Sequence, residues 1–394
     1  MPARNKANIN PDIMVWARQT AGYSLEEAAH KIGVTPEKLQ KWEAGEDKPT
    51  LRQLRMAGKV YRRPSALFYR STTPTPHPIL PDFRVLPDTD LEYTPNLRFE
   101  IRRAFERRAI ALEIMAQLGE EPPKLDIRAD MSEDPSYLAA RIREWLGVSV
   151  ETQFSWRDHY VALNSWIAAI EAQGIFVFHA GGVEVEQMRG FSISERPFPV
   201  VAVNAKDSPR GRIFTLLHEL THIVLENGGL CDLHETEIIG ELSLEAYCNR
   251  VAGEVLVPSN ALLSHDIVIG NAGNFQWEDW QLGQLSNKFK VSQEVILRRL
   301  LLLGKTTQAF YARKHEKFLE QYQRQSEESG AGFMRYYRRV LRANGPAFTS
   351  LVLSAYYNDA ISSRDLSNFL GGVHLSHIER IEQDLITRER GGEV

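Results

Sequence analysis

The stretch Leu216-Leu217-His218-Glu219-Leu220-Thr221-His222-Ile223-Val224-Leu225 restricts this chain more than any other segment. Its apolar flanks predict a buried helix. His218 and His222, at i and i+4 in an HExxH spacing, then lie one turn apart on one face, where two imidazoles can bind one metal ion. Glu219 projects beside them, where a carboxylate can take a proton from metal-bound water. A helix fixes such ligands better than a loop does. The plainer alternative, a pair of core histidines, does not account for the strand that precedes this helix or the carboxylate-bearing helix that follows it.

A catalytic zinc ion takes three protein ligands and keeps a fourth position open, so a further ligand must come from elsewhere. Candidates are Glu235, Glu237, Glu241, Glu245 and Glu254, with His234 and the two cysteines, Cys231 and Cys248. Residues Ser243 to Val257 read as a buried helix stopped before Pro258, and a carboxylate inside such a helix is costly unless paired or metal-bound. Glu245 is therefore the first choice and Glu241, a turn earlier, the second. Cys248 reads as a small core residue.

Ahead of the metal-motif helix, a helix over 161–173 is followed by short apolar runs, Ile175–Phe178, Gly190–Ile193 and Pro199–Val203. Bounded by Gly, Pro and Asn, they read as strands of a small sheet packed on helices. The last run is a candidate sheet edge for pairing with an extended polypeptide. A helix is expected over 95–118, with Leu97, Ile101, Phe105, Ala109 and Leu112 on its apolar stripe and Arg98, Arg102, Arg103, Arg107 and Arg108 on a solvated face. Another follows over 137–146. The proline-rich run from Ser71 to Pro78, with Pro81 and Pro87 beyond it, reads as a linker. From about 286 the chain is helical to its end, through a polar break at 326–332. The expected fold class is multidomain and mainly α: an all-α unit over 8–70, a linker with connecting helices over 71–150, an α+β core over 151–305 and an all-α region over 306–394.

At 394 residues, 43% apolar and 25% charged, the chain has a globular composition, which excludes disorder or a fibrous repeat as its main character. No apolar run approaches the roughly 18 residues needed to span a bilayer, and the polar start offers no secretion signal, so a cytoplasmic protein with no membrane partner is expected. Two cysteines fit a reducing compartment. The net charge of −4 advertises no nucleic-acid partner, yet residues 1–70 hold thirteen basic side chains against seven acidic ones, a local +6. Such segregation is the footprint of a phosphate-binding module.

The sequence punctuation of that segment predicts four short helices, over 11–21, 24–32, 35–43 and 50–60. Ser24 with Glu27 forms a capping box, Thr35-Pro36 opens the third helix, and Gly22, Gly33 and Gly45 stop successive ones. The run Ser24-Leu25-Glu26-Glu27-Ala28-Ala29-His30-Lys31-Ile32-Gly33-Val34-Thr35, continued by Leu39-Gln40-Lys41-Trp42-Glu43-Ala44-Gly45 and Pro49-Thr50-Leu51, resembles the Cro/xenobiotic-response-element helix-turn-helix family. The resemblance implies a second helix laid in the DNA major groove, with Thr35, Lys38, Gln40 and Lys41 toward DNA, and a homodimer on paired half-sites. Leu25 departs from the pattern, standing where many relatives carry a glutamine that contacts DNA. The rhythm of 282–303 and 361–385 is also helix-turn-helix-like, the latter reading as a docking domain.

His218-Glu219-Leu220-Thr221-His222, followed by Glu245-Ala246-Tyr247-Cys248-Asn249-Arg250-Val251-Ala252 and Leu256-Val257-Pro258, resembles the ImmA/IrrE family of zinc metallopeptidases. The resemblance covers about 160–303 and implies a zincin-like core, with His218, His222 and Glu245 as Zn2+ ligands and Glu219 as general base. Asn249 would support the ligands or pack the helix. No residue stands out as the oxyanion donor; His179, His234 and Tyr247 are candidates. The combined reading is a DNA-binding regulator with a zinc endopeptidase domain. Its implied substrate is a transcriptional repressor or partner protein in mobile-element, stress or toxin–antitoxin control. The alternative is a repressor or antitoxin that binds DNA and a toxin, with a structural or silent metal site.

Overall fold

The computed structural model describes residues 6–74, 80, 93–231, 243–328 and 335–391. They form two compact units, divided between Glu106 and Arg107. The linker prolines from Pro76 to Pro87, and the part of the polar break beyond Glu328, lie outside the described residues.

In the first unit the first four helices are each opened by a side chain that accepts a backbone N–H of the first turn: Asn10 for α1 (Pro11–Ala21), Ser24 for α2 (Leu25–Ile32), Thr35 for α3 (Pro36–Glu43) and Thr50 for α4 (Leu51–Val60). Ser24 with Glu27 and Thr50 with Gln53 close reciprocal capping boxes. Gly33 ends α2 at φ 81°, a left-handed turn that a β-carbon would strain. Four local signals thus leave short helices only one way to fold, around Ile13, Met14, Leu39, Trp42 and Phe68, all fully buried. Arg18 grips Glu43 through bonds of 2.8 and 2.9 Å, tying α1 to α3.

Helix α5 (Pro95–Leu118) has the expected extent but not the expected faces. Ala109 is exposed, while Arg102 and Arg107 are buried. Arg102 donates to the Arg62 carbonyl at 2.8 Å, and Arg107 lies 4.6 Å from the centre of the Phe178 ring. Their aliphatic stems and planar heads pack where a solvated face was expected.

In the second unit α6 (Pro135–Trp145), α7 (Val150–Ser155) and α8 (His159–Glu171) lead into a four-stranded sheet. Its spatial order is β1 (Phe176–Ala180), β3 (Val200–Asn204), β2 (Gly190–Ile193) and β4 (Leu230–Cys231). β1 runs parallel to β3, with Phe176 opposite Val200. β2 runs antiparallel to β3 and β4, with Phe191 opposite Ala202 and Leu230. The expectation that the run before the metal-motif helix forms a sheet edge is overturned, because β3 is interior. Its Val-Val-Ala-Val run has no polar alternate position, and a strand buried on both faces reads that way.

Side chains alternate across β1. Val177 joins the core formed with Val201, Val203 and Leu216. Against that core, α9 (Pro209–Val224) packs on β2, β3 and α8, and α10 (Leu244–Leu256) packs on α9 and α6. Helices α11 (Ser259–Leu263), α12 (Asp266–Gly270), α13 (Asp279–Phe289), α14 (Gln293–Leu302) and α15 (Gln308–Glu328) follow. On the alternate positions of β1, Phe176 and Phe178 meet Phe348 edge-on at 5.9 and 6.1 Å. Phe348 belongs to α17 (Pro346–Tyr357), which with α16 (Tyr336–Asn344) covers β1; α18 (Ser363–Phe369) and α19 (Ile378–Gly391) complete the chain. The architecture is mainly α, with a small mixed sheet.

Candidate metal centre

Helix α9 starts at Ser208, whose hydroxyl accepts the Gly211 N–H, with Pro209 at the first helical position. Every residue from Arg212 to Val224 is buried, the condition of a helix surrounded by other elements. His218 and His222 are fully buried, their Nε2 atoms 3.1 Å apart. The Glu245 carboxylate, in the first turn of α10, closes the triangle at 3.1 Å from His218 Nε2 and 3.2 Å from His222 Nε2. The donor atoms of the three residues lie within 4.8 Å of one another.

This geometry fits a bound cation. Neither Glu245 oxygen receives a hydrogen bond of good geometry, although both atoms are buried. Buried polar atoms in that condition are costly, and an ion among the three groups would satisfy them together. Two imidazole nitrogens and a carboxylate are a donor set suited to zinc. Burial alone would push the Glu245 carboxyl up; N–H groups turned toward it from His218 and His222 outweigh that and draw it down to about 2, a role that a bound cation would take over once the two nitrogens offer it their lone pairs. His222 Nδ1 faces the Asn227 carbonyl at 3.1 Å. That contact selects the tautomer with the proton on Nδ1 and leaves Nε2 a lone pair for the ion.

Of the other candidate ligands, Glu254 is spent elsewhere. It pairs with Arg299 and accepts the Ser259 N–H at 2.7 Å and the Ser259 hydroxyl at 2.9 Å. Cys248 is buried, and burial pushes its thiol well up, keeping it protonated. His234, Glu235, Glu237 and Glu241 lie outside the described residues, as does the Cys231 side chain. Tyr247, two positions beyond Glu245 and so on the far side of α10, donates its hydroxyl to the Glu133 carbonyl at 3.0 Å. His179 sits on β1 opposite Val203.

Glu219 is fully buried and turns toward the sheet. A β-carbon at Gly190 on β2 would stand 2.9 Å from Glu219 Oε1 and 2.5 Å from Thr215 Cγ2. The carboxylate therefore occupies space that only glycine leaves open, a feature the sequence reading missed. Its signal was the single glycine at the start of a strand pattern, which marks close approach.

Two family models match the chain. The IrrE N-terminal-like domain, Peptidase_M78, matches residues 170–301, and a helix-turn-helix model matches 15–68. The chain joins both domains. No curated protein and no solved structure matches it. The IrrE N-terminal-like domain takes in the sheet, α9 and α10, and with them His218, Glu219, His222, Glu245 and Asn249. Asn249 is 3% exposed, and both ends of its amide lack a hydrogen-bond partner. One turn after Glu245, it is a buried polar group with bonding capacity to spare.

Within the helix-turn-helix domain, α2 and α3 form the bihelical unit, and Thr35, Lys38, Gln40 and Lys41 are all exposed. The Thr35 hydroxyl also accepts the Lys38 N–H at 3.4 Å. Leu39 and Trp42 point into the core, so α3 presents its polar side outward. Leu25 packs partly against the core. No helix among the described residues is long and apolar enough to cross a membrane.

Proposed function

We propose that this chain is a zinc-dependent endopeptidase carried by a DNA-binding regulator, acting in the cytoplasm on a transcriptional repressor or partner protein. The reading rests on one observation, the convergence of His218, His222 and Glu245 with Glu219 one residue from the first ligand. His218 and His222 would hold the metal through Nε2, and Glu245 through its carboxylate. Zinc in that position supplies Lewis-acid polarisation of a peptide carbonyl and acidifies water.

The remaining work falls to the protein. Asn227 keeps the His222 proton on Nδ1. Glu219 accepts a proton from the attacking water on its carboxylate and passes it to the leaving amine, and Gly190 gives that carboxylate room. The burial around α9 keeps bulk water from competing for these contacts. In the same proposal Thr35, Lys38, Gln40 and Lys41 meet DNA, Asn249 supports Glu245, and the functional segments are 8–70, 71–150, 151–305 and 306–394. A homodimer on paired half-sites fits the helix-turn-helix domain.

The deciding experiment measures zinc content and cleavage of a degenerate peptide library, comparing the parent chain with Glu219→Gln and His222→Ala. The proposal expects about one zinc per parent chain. It expects metal-loaded but inactive Glu219→Gln, and metal-poor, inactive His222→Ala. Equal cleavage by the parent and Glu219→Gln would remove the peptidase reading. It would leave a DNA-binding repressor or antitoxin, with a toxin as its partner.

A further inference from the structure

A cleft of ≈ 430 Å³ opens along α9 and α10, and its lining reaches Phe214, one turn before His218, and Ala246, next to Glu245, without including the metal donors themselves. Arg210, Phe214, His218 and His222 follow one another every four residues, so one stripe of α9 runs from the cleft to the centre. The Phe214 ring lies 6.4 Å from that of His218.

The lining charge is one-sided. Among the described residues, Arg189, Arg210, Arg250 and Arg298 line the cleft with one carboxylate, Glu294, which His315 engages at 2.6 Å. Arg210 bonds to neutral partners, Ser286 Oγ at 2.8 Å and Asn287 Oδ1 at 2.5 Å. Arg189 lies 3.6 Å from the buried Asp207. Between the arginines stand Phe214, Val295, Leu301 and Leu302, which offer contact to apolar side chains.

Resting on the peptidase reading above, we infer that this cleft is the substrate subsite and that it selects an acidic segment of polypeptide bearing interspersed apolar side chains. Guanidinium groups in a partly enclosed cleft can pair with carboxylates in bidentate geometry, and mixed apolar walls suit a peptide better than a phosphate backbone. The volume is that of a ligand pocket rather than of a groove for a duplex.

The test uses the full chain, zinc-loaded and carrying Glu219→Gln, with fluorescence anisotropy of three labelled probes: a peptide alternating Glu and Leu, its Lys-for-Glu counterpart, and oligothymidylate. Arg250→Glu with Arg298→Glu should weaken the acidic peptide by at least about tenfold and leave zinc content unchanged, while Arg250→Lys with Arg298→Lys should keep most of the affinity. Should the charge-reversed chain fail to fold, Arg250→Ala with Arg298→Ala carries the same expectation. The inference is overturned if the acidic peptide binds no better than its basic counterpart, or if reversal leaves its affinity intact, as binding at the basic N-terminal segment would. Equal loss of oligothymidylate affinity on reversal would also overturn it, in favour of nucleic acid. A parent chain that holds zinc and cleaves while the cleft variants bind like the parent loses only this inference. A chain that binds acidic peptide through the cleft but holds no zinc keeps the cleft's preference and loses the peptidase.

Discussion

A methyl group at position 190 would collide with both Thr215 and the Glu219 carboxylate, so Gly190→Ala tests how finely the proposed base is placed. The variant should retain its zinc and lose at least about tenfold in peptide hydrolysis, roughly 1.4 kcal/mol of transition-state stabilisation, read from parallel metal analysis and turnover. Unchanged turnover would mean that Glu219 has slack the structure does not show. His218, Glu219 and His222 were legible because helix periodicity alone relates them. Glu245 was legible because a carboxylate inside a buried helix calls for a partner, an argument that applies equally to Glu254 of the same helix, which pairs with Arg299 instead. Gly190 was not, since its role exists only where β2 meets α9, 25 residues or more further along the chain. Arg102 and Arg107 were misread for a related reason: amphipathic patterning treats a guanidinium as solvated and has no means to anticipate an aromatic ring or a carbonyl set against it.

Helix ends carry the next level of organisation. Gln153 of α7, fully buried, donates to the carbonyls of Leu256 and Phe289 at 2.9 and 2.8 Å and accepts from Arg143 at 2.8 Å. One side chain thus closes the ends of α10 and α13 and orients a cation on α6. Gln153→Leu keeps the approximate volume but leaves two carbonyls and a guanidinium short of partners, and should cost about 2–4 kcal/mol in denaturant unfolding. A loss under about 0.5 kcal/mol would mean that water takes over these bonds. Local signals gave the element boundaries of the first unit to within a residue, because each helix carries its own cap. They gave three of the four strands of the second unit, missing the two-residue β4, and not their order. A run such as Val200–Val203 announces burial on both faces, yet pairing on either side depends on strands distant in sequence. The covering of β1 by α16 and α17, through Phe348, is equally non-local.

At the scale of the whole chain, charge is segregated: the first 70 residues carry +6 and the remainder −10. Binding of duplex DNA should therefore depend on salt and reside in the helix-turn-helix domain. Lys38→Ala with Lys41→Ala should weaken it and lower the slope of log affinity against log salt by up to roughly two, as titrations at several ionic strengths would show. Undiminished affinity would move the contact off α3. Metal removal is the second global lever. A chelator should lower the melting temperature of the parent chain by several degrees and leave that of His222→Ala unmoved, in calorimetry with and without added zinc.

The proposed ligands come from two helices, and the 22 residues between His222 and Glu245 include a segment outside the described structure. An ion held by both helices closes that loop as a cross-link would, with a loop-entropy contribution of about 3 kcal/mol on the disulfide scale. Unlike a disulfide, such a bridge answers to supply rather than to redox state. Each tenfold rise in free zinc above the dissociation constant adds about 1.4 kcal/mol to the folded chain, and depletion withdraws it. Abundance of the protein would then track the metal economy of its cell, making the lifetime of the regulator itself a readout of zinc.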